Sequence, residues 1–312
     1  MNQEDNAIEV VNLTKKFSNK TAVDNISLTV KKGEIFGLLG PNGAGKTTTL
    51  RMITTLLKPT SGQIKIFGHD VEKESRLVRS LFGLTGQYAS VDEDISAREN
   101  LMIFSRLNGL SRTEAKKRTA DLLEEFSLVA SADKAISNFS GGMRRRLDLA
   151  VSLITRPALI FLDEPTTGLD PRTRTQMWET IRNLVAKGST IVLTTQYLEE
   201  ADELADRIAV IDHGELVSMG TPDELKRAVG GFSLRLQVMN VIDVQKAERI
   251  IAEVLQTEVA SIDNDLSAKL NDPNQVTDVL DELKKNAIEI VNISVQQPSM
   301  DDVFFALTVG KN

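Results

Sequence analysis

Gly40-Pro41-Asn42-Gly43-Ala44-Gly45-Lys46-Thr47-Thr48 carries the spacing G-x-x-x-x-G-K-T, directly after the apolar run Glu34 to Leu39 and before a helical pattern that starts at Thr49. Glycines at both ends let a backbone fold round an anion and aim successive N–H groups at it, and a helix N-terminus adds roughly half a positive charge. A polyphosphate is the ligand such a loop suits. Lys46 has the reach for its outer phosphates, and the Thr47 hydroxyl suits Mg²⁺.

A second group of residues fits the same chemistry. Ala158 to Leu162 reads as a buried strand ending in Asp163-Glu164. Side chains alternate along a strand, so the two carboxylates are expected to diverge: Asp163 toward Mg²⁺, largely through water, and Glu164 toward an attacking water as its base or positioner. Gln196 ends another apolar run, Ser189 to Thr195, and Gln87 follows a third, Leu81 to Thr85. Gln87 is either an ordinary strand end or an amide ligand for Mg²⁺. Ser140-Gly141-Gly142 opens a helix that runs to Ile154; with Ser140 as N-cap it makes a second anion-binding helix end. Phe17 is either a core side chain or a ring stacked on adenine, a contact worth ~1–3 kcal/mol. His69 and His213 are the only histidines, both in turns, and read as surface residues, while the single tryptophan, Trp178, reads as core.

These residues need elements to hold them. Ile8 to Leu13, Ile26 to Val30 and Gln63 to Phe67 read as strands, and Thr48 to Leu57 as a helix stopped by Lys58-Pro59-Thr60-Ser61-Gly62. From Ser96 to Ile154 the period is helical, with capping boxes at Ser96-Ala97-Arg98-Glu99 and Ser111-Arg112-Thr113-Glu114, which marks an all-helical insert of about residues 90–155. Thr166 to Pro171 makes a turn before a helix from Arg172 to Lys187. Strands alternating with helices give a mainly parallel sheet, whose C-terminal strand ends carry Gly40, Asp163 and Gln196 together.

Gly230-Gly231 divides residues 1–230 from a smaller domain, 231–312. There, alternating strands near Leu234, Leu266 and Ile288 and helical stripes at Ala247 to Val254 and Val276 to Leu283 are compatible with β-α-β-β-α-β, a ferredoxin-like α+β sandwich. The parity of Ile293 and Val295 requires one extra residue near Asn292, a bulge. A last helix starts at Ser299. The role expected of this domain is interaction, holding a dimer or contacting a membrane partner, with ligand sensing as the alternative.

The whole chain sets limits. No apolar run approaches the roughly 20 residues that span a bilayer, Ala150 to Leu162 being broken by Arg156 and Pro157. Met1 to Asn6 is polar and acidic, unlike a signal or transit peptide. The absence of cysteine fits a reducing cytoplasm and excludes disulfides and thiol chemistry. Of the net charge of −7, most comes from the 13 acidic and 7 basic residues after Gly230, so that region repels phosphate backbones and argues against a nucleic-acid partner.

In order and spacing, the phosphate loop Gly40 to Thr48, the Gln87 loop, Ser140-Gly141-Gly142-Met143-Arg144, Asp163-Glu164 and Gly168-Leu169-Asp170 together resemble the ATP-binding subunits of ABC transporters over residues 7 to 230. Leu84-Thr85-Gly86-Gln87-Tyr88, Gly141 to Ala150, Thr194 to Asp202 and Pro298-Ser299-Met300-Asp301-Asp302-Val303-Phe304 resemble the daunorubicin-resistance branch. The resemblance implies a P-loop NTPase fold of ABC type, ATP and Mg²⁺ as cofactors, and ATP hydrolysis driving drug export. It also implies a head-to-tail homodimer in which Ser140 to Gly142 of one copy close over the γ-phosphate held by Lys46 of the other, with Asp170 among the nucleotide-binding residues. Separate integral membrane permease subunits would hold the protein at the cytoplasmic face of the membrane. Gln196 stands where the wider family has His; its amide donates the same hydrogen bond but cannot titrate. An importer, a lipid or glycan exporter, or a soluble ATPase working on ribosomes or DNA are the alternatives.

Overall fold

The computed structural model describes residues 6–85, 91–270 and 272–308. The chain forms two compact units, Met1–Thr221 and Pro222–Asn312, so Gly230-Gly231 lies inside the second.

The first unit begins with β1 (Asn6–Phe17), β2 (Lys20–Lys31), β3 (Ile35–Leu39), α1 (Lys46–Ile53), β4 (Ser61–Ile66), β5 (His69–Asp70), α2 (Ser75–Leu81) and β6 (Phe82–Thr85). A helical stretch follows, with α3 (Ala97–Leu107), α4 (Arg112–Glu125) and α5 (Gly141–Ser152). The chain then returns to alternation through β7 (Leu159–Asp163), α6 (Pro171–Ala186), β8 (Thr190–Thr195), α7 (Leu198–Leu204), β9 (Arg207–Asp212) and β10 (Glu215–Gly220).

Two sheets result. One is antiparallel, in the order β2-β1-β4-β5; the other, in the order β10-β9-β3-β8-β7-β6, is parallel except where β10 returns against β9. Every residue of β3, β7 and β8 is buried, which explains their unbroken apolar runs: parallel strands covered on both faces have no polar side to show. One core, with Ile8, Leu13, Phe36, Met52 and Phe161, joins the antiparallel sheet to one side of the parallel sheet. The other, with Leu101, Leu122, Phe126, Leu147, Trp178 and Ile191, joins the helical stretch to the parallel sheet.

Both capping boxes form, Ser96 with Glu99 and Ser111 with Glu114, so these helix starts are written in the sequence. The helix after the phosphate loop ends at Ile53 rather than Leu57. The helix closes there because Thr54 is its C-cap and Thr55 takes φ +62°, after which the Leu56 and Leu57 N–H groups both turn back to the Arg51 carbonyl. The sequence reading passes over α2, α7 and β9. The last of these is the parallel neighbour of β3 on the side away from β8.

The second unit contains α8 (Pro222–Val229), β11 (Phe232–Val238), α9 (Val244–Leu255), β12 (Val259–Ile262), β13 (Asp265–Leu270), α10 (Gln275–Lys285), β14 (Ile290–Gln296) and α11 (Met300–Thr308). From β11 to β14 this is β-α-β-β-α-β, and its antiparallel sheet runs β12-β13-β11-β14. Leu234, Leu236 and Val238 face Ala247, Ile251, Val279 and Leu283 of the two helices in one core. Gln237 pairs with Asn292 but Val238 with Ile290, which leaves Val291 as the extra residue of a bulge beside Asn292. Among the described residues no helix is long and apolar enough to cross a membrane.

Replacing the Ser111 cap tests how much local sequence contributes. Ser111→Ala is expected to lower the stability of the first unit by about 1 kcal/mol, seen as a lower urea midpoint; an unchanged midpoint would mean that water replaces the cap in full.

Candidate functional site

The phosphate loop bridges β3 and α1, and its first and last glycines have no room for a side chain, while Gly43 has room but is left-handed at φ +83°. A Cβ on Gly40 would lie 2.1 Å from the Ile211 carbonyl oxygen of β9, and one on Gly45 would lie 2.6 Å from that of Ala22 in β2. Gly45 is also left-handed, at φ +108°. The turn between β9 and β10 holds the loop from outside: the Gly214 N–H donates to the Ala44 carbonyl at 2.9 Å. The N-cap of α1 is Gly45, so no side chain caps this helix and no acidic residue occupies its first turn. Its leading amides are donors that fit an anion.

Lys46 is buried, and its ammonium group donates to the carbonyls of Gly40 at 2.7 Å and Pro41 at 3.1 Å. Burial pushes its pKa down, against the pull of the Glu164 and Asp163 carboxylates. On Asp163, Oδ1 accepts from the Thr194 hydroxyl at 2.6 Å and from the Thr47 hydroxyl at 3.1 Å. Thr47 and Asp163 thus converge as two oxygen donors suited to a hard divalent cation.

Strand alternation is not what separates the two carboxylates. β7 ends at Asp163, and Glu164 turns off in the left-handed region at φ +49°, a conformation that costs a non-glycine residue on the order of 1 kcal/mol. Its N–H is held by both the carbonyl (3.1 Å) and the hydroxyl (3.0 Å) of Thr194, and its Oε2 accepts from the Thr167 hydroxyl at 3.1 Å.

Phe17, Lys20, Ala22, Asn42, Gly43, Gly45, Lys46, Thr47, Thr48 and Glu164 line one cleft of about 390 Å³. Phe17 ends β1, is 46% exposed and has the Lys15 ammonium 5.0 Å from its ring centre, so it is a wall of the cleft and not a core residue. Gln196 follows β8 directly. Leu39 pairs with Thr195, and Asp163 with Thr194, so Gly40, Asp163 and Gln196 leave the parallel sheet at one end. Gln87 lies outside the described residues. His213, in the β9–β10 turn, has a side chain 92% exposed.

Ser140 to Gly142 sit on another element. Ser140 caps α5, its hydroxyl accepting from the Met143 N–H at 3.2 Å. A Cβ on Gly142 would meet the Thr173 methyl of α6 at 2.2 Å, so the starts of α5 and α6 are in close contact. Asp170 caps α6 through the Thr173 N–H (3.0 Å) and hydroxyl (2.6 Å).

The sequence reading gave no role to Arg145, one turn into α5. Its guanidinium donates to the main-chain carbonyls of Asp163 (2.8 Å), Glu164 (3.2 Å) and Pro165 (3.1 Å), joining α5 to the end of β7. The available signal was helical spacing: Arg145 lies four residues before the buried Leu149, on an inward face where a charged side chain needs partners. Beside it, burial pushes the Asp148 carboxyl up to about 6, against the Arg145 and Arg144 charges.

Residues 23–167 match the family described as ABC transporter, and residues 220–308 match the family described as ATP-binding protein DrrA1-3-like, C-terminal domain. The daunorubicin/doxorubicin resistance ATP-binding protein DrrA of Streptomyces peucetius is 48% identical, over 97% of this chain and 92% of that protein. The linearmycin resistance ATP-binding protein LnrL of Bacillus subtilis is 37% identical, over 96% of this chain and 98% of its own length. Among solved structures, the ATP-binding cassette MJ0796, a dimeric post-hydrolysis state bound to ADP and Pi, superposes with a TM-score of 0.62 at 27% identity, over 69% of this chain and 98% of that one.

Asp148 makes a pH prediction. Its folded pKa of about 6 lies above the ordinary 3.8, so the folded state holds the proton more tightly. Stability conferred by that proton is present at low pH and lost as pH rises through roughly 4 to 6. Asp148→Asn removes the loss. The expected gain is about 1–2 kcal/mol at pH near 8 and about none near 4, allowing for partial screening. Urea midpoints at the two pH values check it; equal gains at both would assign the effect to packing.

Proposed function

Because the chain belongs to the ATP-binding subunits of ABC transporters, of the daunorubicin-resistance type, we propose that it hydrolyses Mg-ATP at a site shared between two copies of itself, and so drives a drug or antibiotic out through separate membrane subunits. The observation that carries this reading is the uncapped start of α1, set beside the convergence of Thr47 and Asp163 and the divergence of Glu164. Phosphates would sit on the leading amides of α1 from Gly43 to Thr48. Lys46 would exchange its two loop carbonyls for phosphate oxygens, and Phe17 would stack on the base. Thr47 and Asp163, with Gln87, would hold Mg²⁺, which when bound neutralises phosphate charge.

Glu164 would orient the attacking water. Its carboxylate is fixed by Thr167 and its backbone by Thr194, so little reorganisation remains for the reaction. Gln196 would donate to the terminal phosphate from the neighbouring strand end.

The start of α5, with Ser140 to Gly142, is a second helix N-terminus, and it would serve the partner copy together with Asp170. The dimeric relative bound to ADP and Pi supports a paired arrangement. The resistance proteins for daunorubicin and linearmycin support export of such compounds. The membrane-spanning part would come from other chains, which would keep this one at the cytoplasmic face.

Two variants test the site. Lys46→Ala is expected to abolish Mg²⁺-dependent ATP hydrolysis, and Glu164→Gln to slow it by at least about 100-fold while still binding ATP. With Mg-ATP, the Glu164→Gln protein should form a particle of twice the 34.3 kDa chain mass by light scattering. Hydrolysis retained by Lys46→Ala would reject the assigned site, and a monomer with ATP bound would reject self-pairing.

A further inference from the structure

The phosphate and carboxylate chemistry uses the turn after β7 on its outer side only. On its inner side lies a carboxylate to which that chemistry gives no part. Glu200, on α7, is fully buried, yet α7 belongs to a region whose other inward residues, Ala201 and Leu204, are apolar. Its Oε1 accepts from the Thr166 hydroxyl at 2.8 Å and from the Trp178 indole N–H of α6 at 3.3 Å. Thr166 and Trp178 are themselves buried.

Position gives these bonds their meaning. Thr166 and Thr167 are adjacent and serve opposite carboxylates: Thr166 donates inward to Glu200 and Thr167 donates to Glu164 in the cleft. Glu200 also lies one helical turn beyond Gln196, on the helix that the Gln196-Tyr197 segment leads into, where the Ala201 N–H bonds to the Tyr197 carbonyl. Arg174 of α6 stacks its guanidinium 5.1 Å from the Tyr197 ring, and its charge opposes the rise that burial gives the Glu200 pKa. One buried acceptor therefore ties together the turn that aims Glu164, the segment that bears Gln196, and α6, whose N-cap is Asp170. Taking a carboxylate wholly out of water is unfavourable unless strong donors meet it, and an apolar residue at this position would fill the space without needing any.

We propose that Glu200 is a positioning residue for hydrolysis: through Thr166 it sets the turn that carries Thr167, and so aims the Glu164 carboxylate and keeps it in register with Gln196. It touches no substrate atom and acts by accepting hydrogen bonds. The proposal rests on the ATPase reading above and adds a residue to it.

The test uses the full-length protein and Mg-ATP. Thr166→Val keeps the shape of the side chain and removes its donor; it is expected to lower kcat by about tenfold with KM for ATP within about twofold, because binding is intact and only the aim of Glu164 is lost. Glu200→Gln keeps an acceptor oxygen for Thr166 and Trp178 and is expected to stay within about threefold of wild-type kcat. Trp178 is the only tryptophan, so indole emission reports the Glu200 contact directly. The emission maximum of Glu200→Gln is expected to match that of the wild-type protein, because the indole N–H keeps its acceptor. Wild-type kcat in Thr166→Val would overturn the proposal, as would loss in Glu200→Gln equal to that in Thr166→Val. If Thr166→Val does not fold, Thr166→Ala takes its place: it also removes the donor, and wild-type kcat in Thr166→Ala overturns the proposal. Wild-type and Lys46→Ala rates measured alongside separate the two levels. An active wild type with an inactive Lys46→Ala upholds the ATPase site whatever becomes of Glu200; absent hydrolysis by the wild type would take both down.

Discussion

A helix whose first amides have no side-chain cap has to be stabilised by something else. The helices α3, α4, α5 and α6 begin on Ser96, Ser111, Ser140 and Asp170, each of which satisfies an orphan amide. Helix α1 begins on Gly45 and receives no such bond. No side chain could be added there without conflict, because Gly45 is left-handed and pressed against Ala22, and Gly40 is pressed against Ile211. The restraint comes instead from backbone far away in sequence: β2 on one side, β9 on another, and the Gly214 turn bonded to Ala44. Much of the order of the parallel sheet, with β3 between β9 and β8, answers to that need.

The carboxylates are held by a similar economy, with threonine as the recurring part. Thr47, Thr194, Thr166 and Thr167 bring their hydroxyls to Asp163, Glu164 and Glu200. A β-branched side chain has few rotamers, so a threonine hydroxyl is placed largely by its backbone. Thr194 donates its hydroxyl proton to Asp163 and, as an acceptor, takes the Glu164 N–H, joining neighbours that the left-handed turn at Glu164 sends apart. The strain of that turn is thus met locally, by two bonds to one residue.

Features governed by near neighbours were legible in the sequence. The phosphate loop, the capping boxes at Ser96 and Ser111, the Ser140 helix start and the parity break beside Asn292 all follow from residues within a few positions of one another. Features governed by distant contacts were not. Arg145 could be recognised as a charge on an inward helix face, but its acceptors lie 18 to 20 residues on. Glu200 looked like one more acid in Leu198-Glu199-Glu200-Ala201-Asp202, and only its position against Thr166 and Trp178 distinguishes it from Glu199, which is exposed. The divergence of Asp163 and Glu164 was expected, but for the wrong reason: the strand stops one residue earlier than alternation requires. Phe17 was left between core and cleft because residue type favours the first and position the second, and its exposure decides the matter.

Two ionisable residues, the half-buried Arg145 and the fully buried Glu200, meet the Asp163 to Thr166 segment, and their chemistry differs in a way that suits each place. Arg145 carries a guanidinium, and one bonded to the Asp163 and Glu164 carboxylates themselves would pair with them and take them from their threonine partners. Its bonds go to the main-chain carbonyls of Asp163, Glu164 and Pro165, so it fixes the backbone while the Asp163 and Glu164 side chains stay bonded to threonine hydroxyls. Glu200 meets the same segment and accepts from a side-chain hydroxyl, again without placing an opposing charge on the Asp163 and Glu164 carboxylates. Because Arg145 lies one turn behind Ser140 to Gly142, and Gly142 is packed on Thr173, the start of α5 cannot shift without straining the carbonyls at the end of β7. Whatever grips the Ser140 end of α5 therefore acts, inside this one chain, on the backbone that presents Asp163 and Glu164.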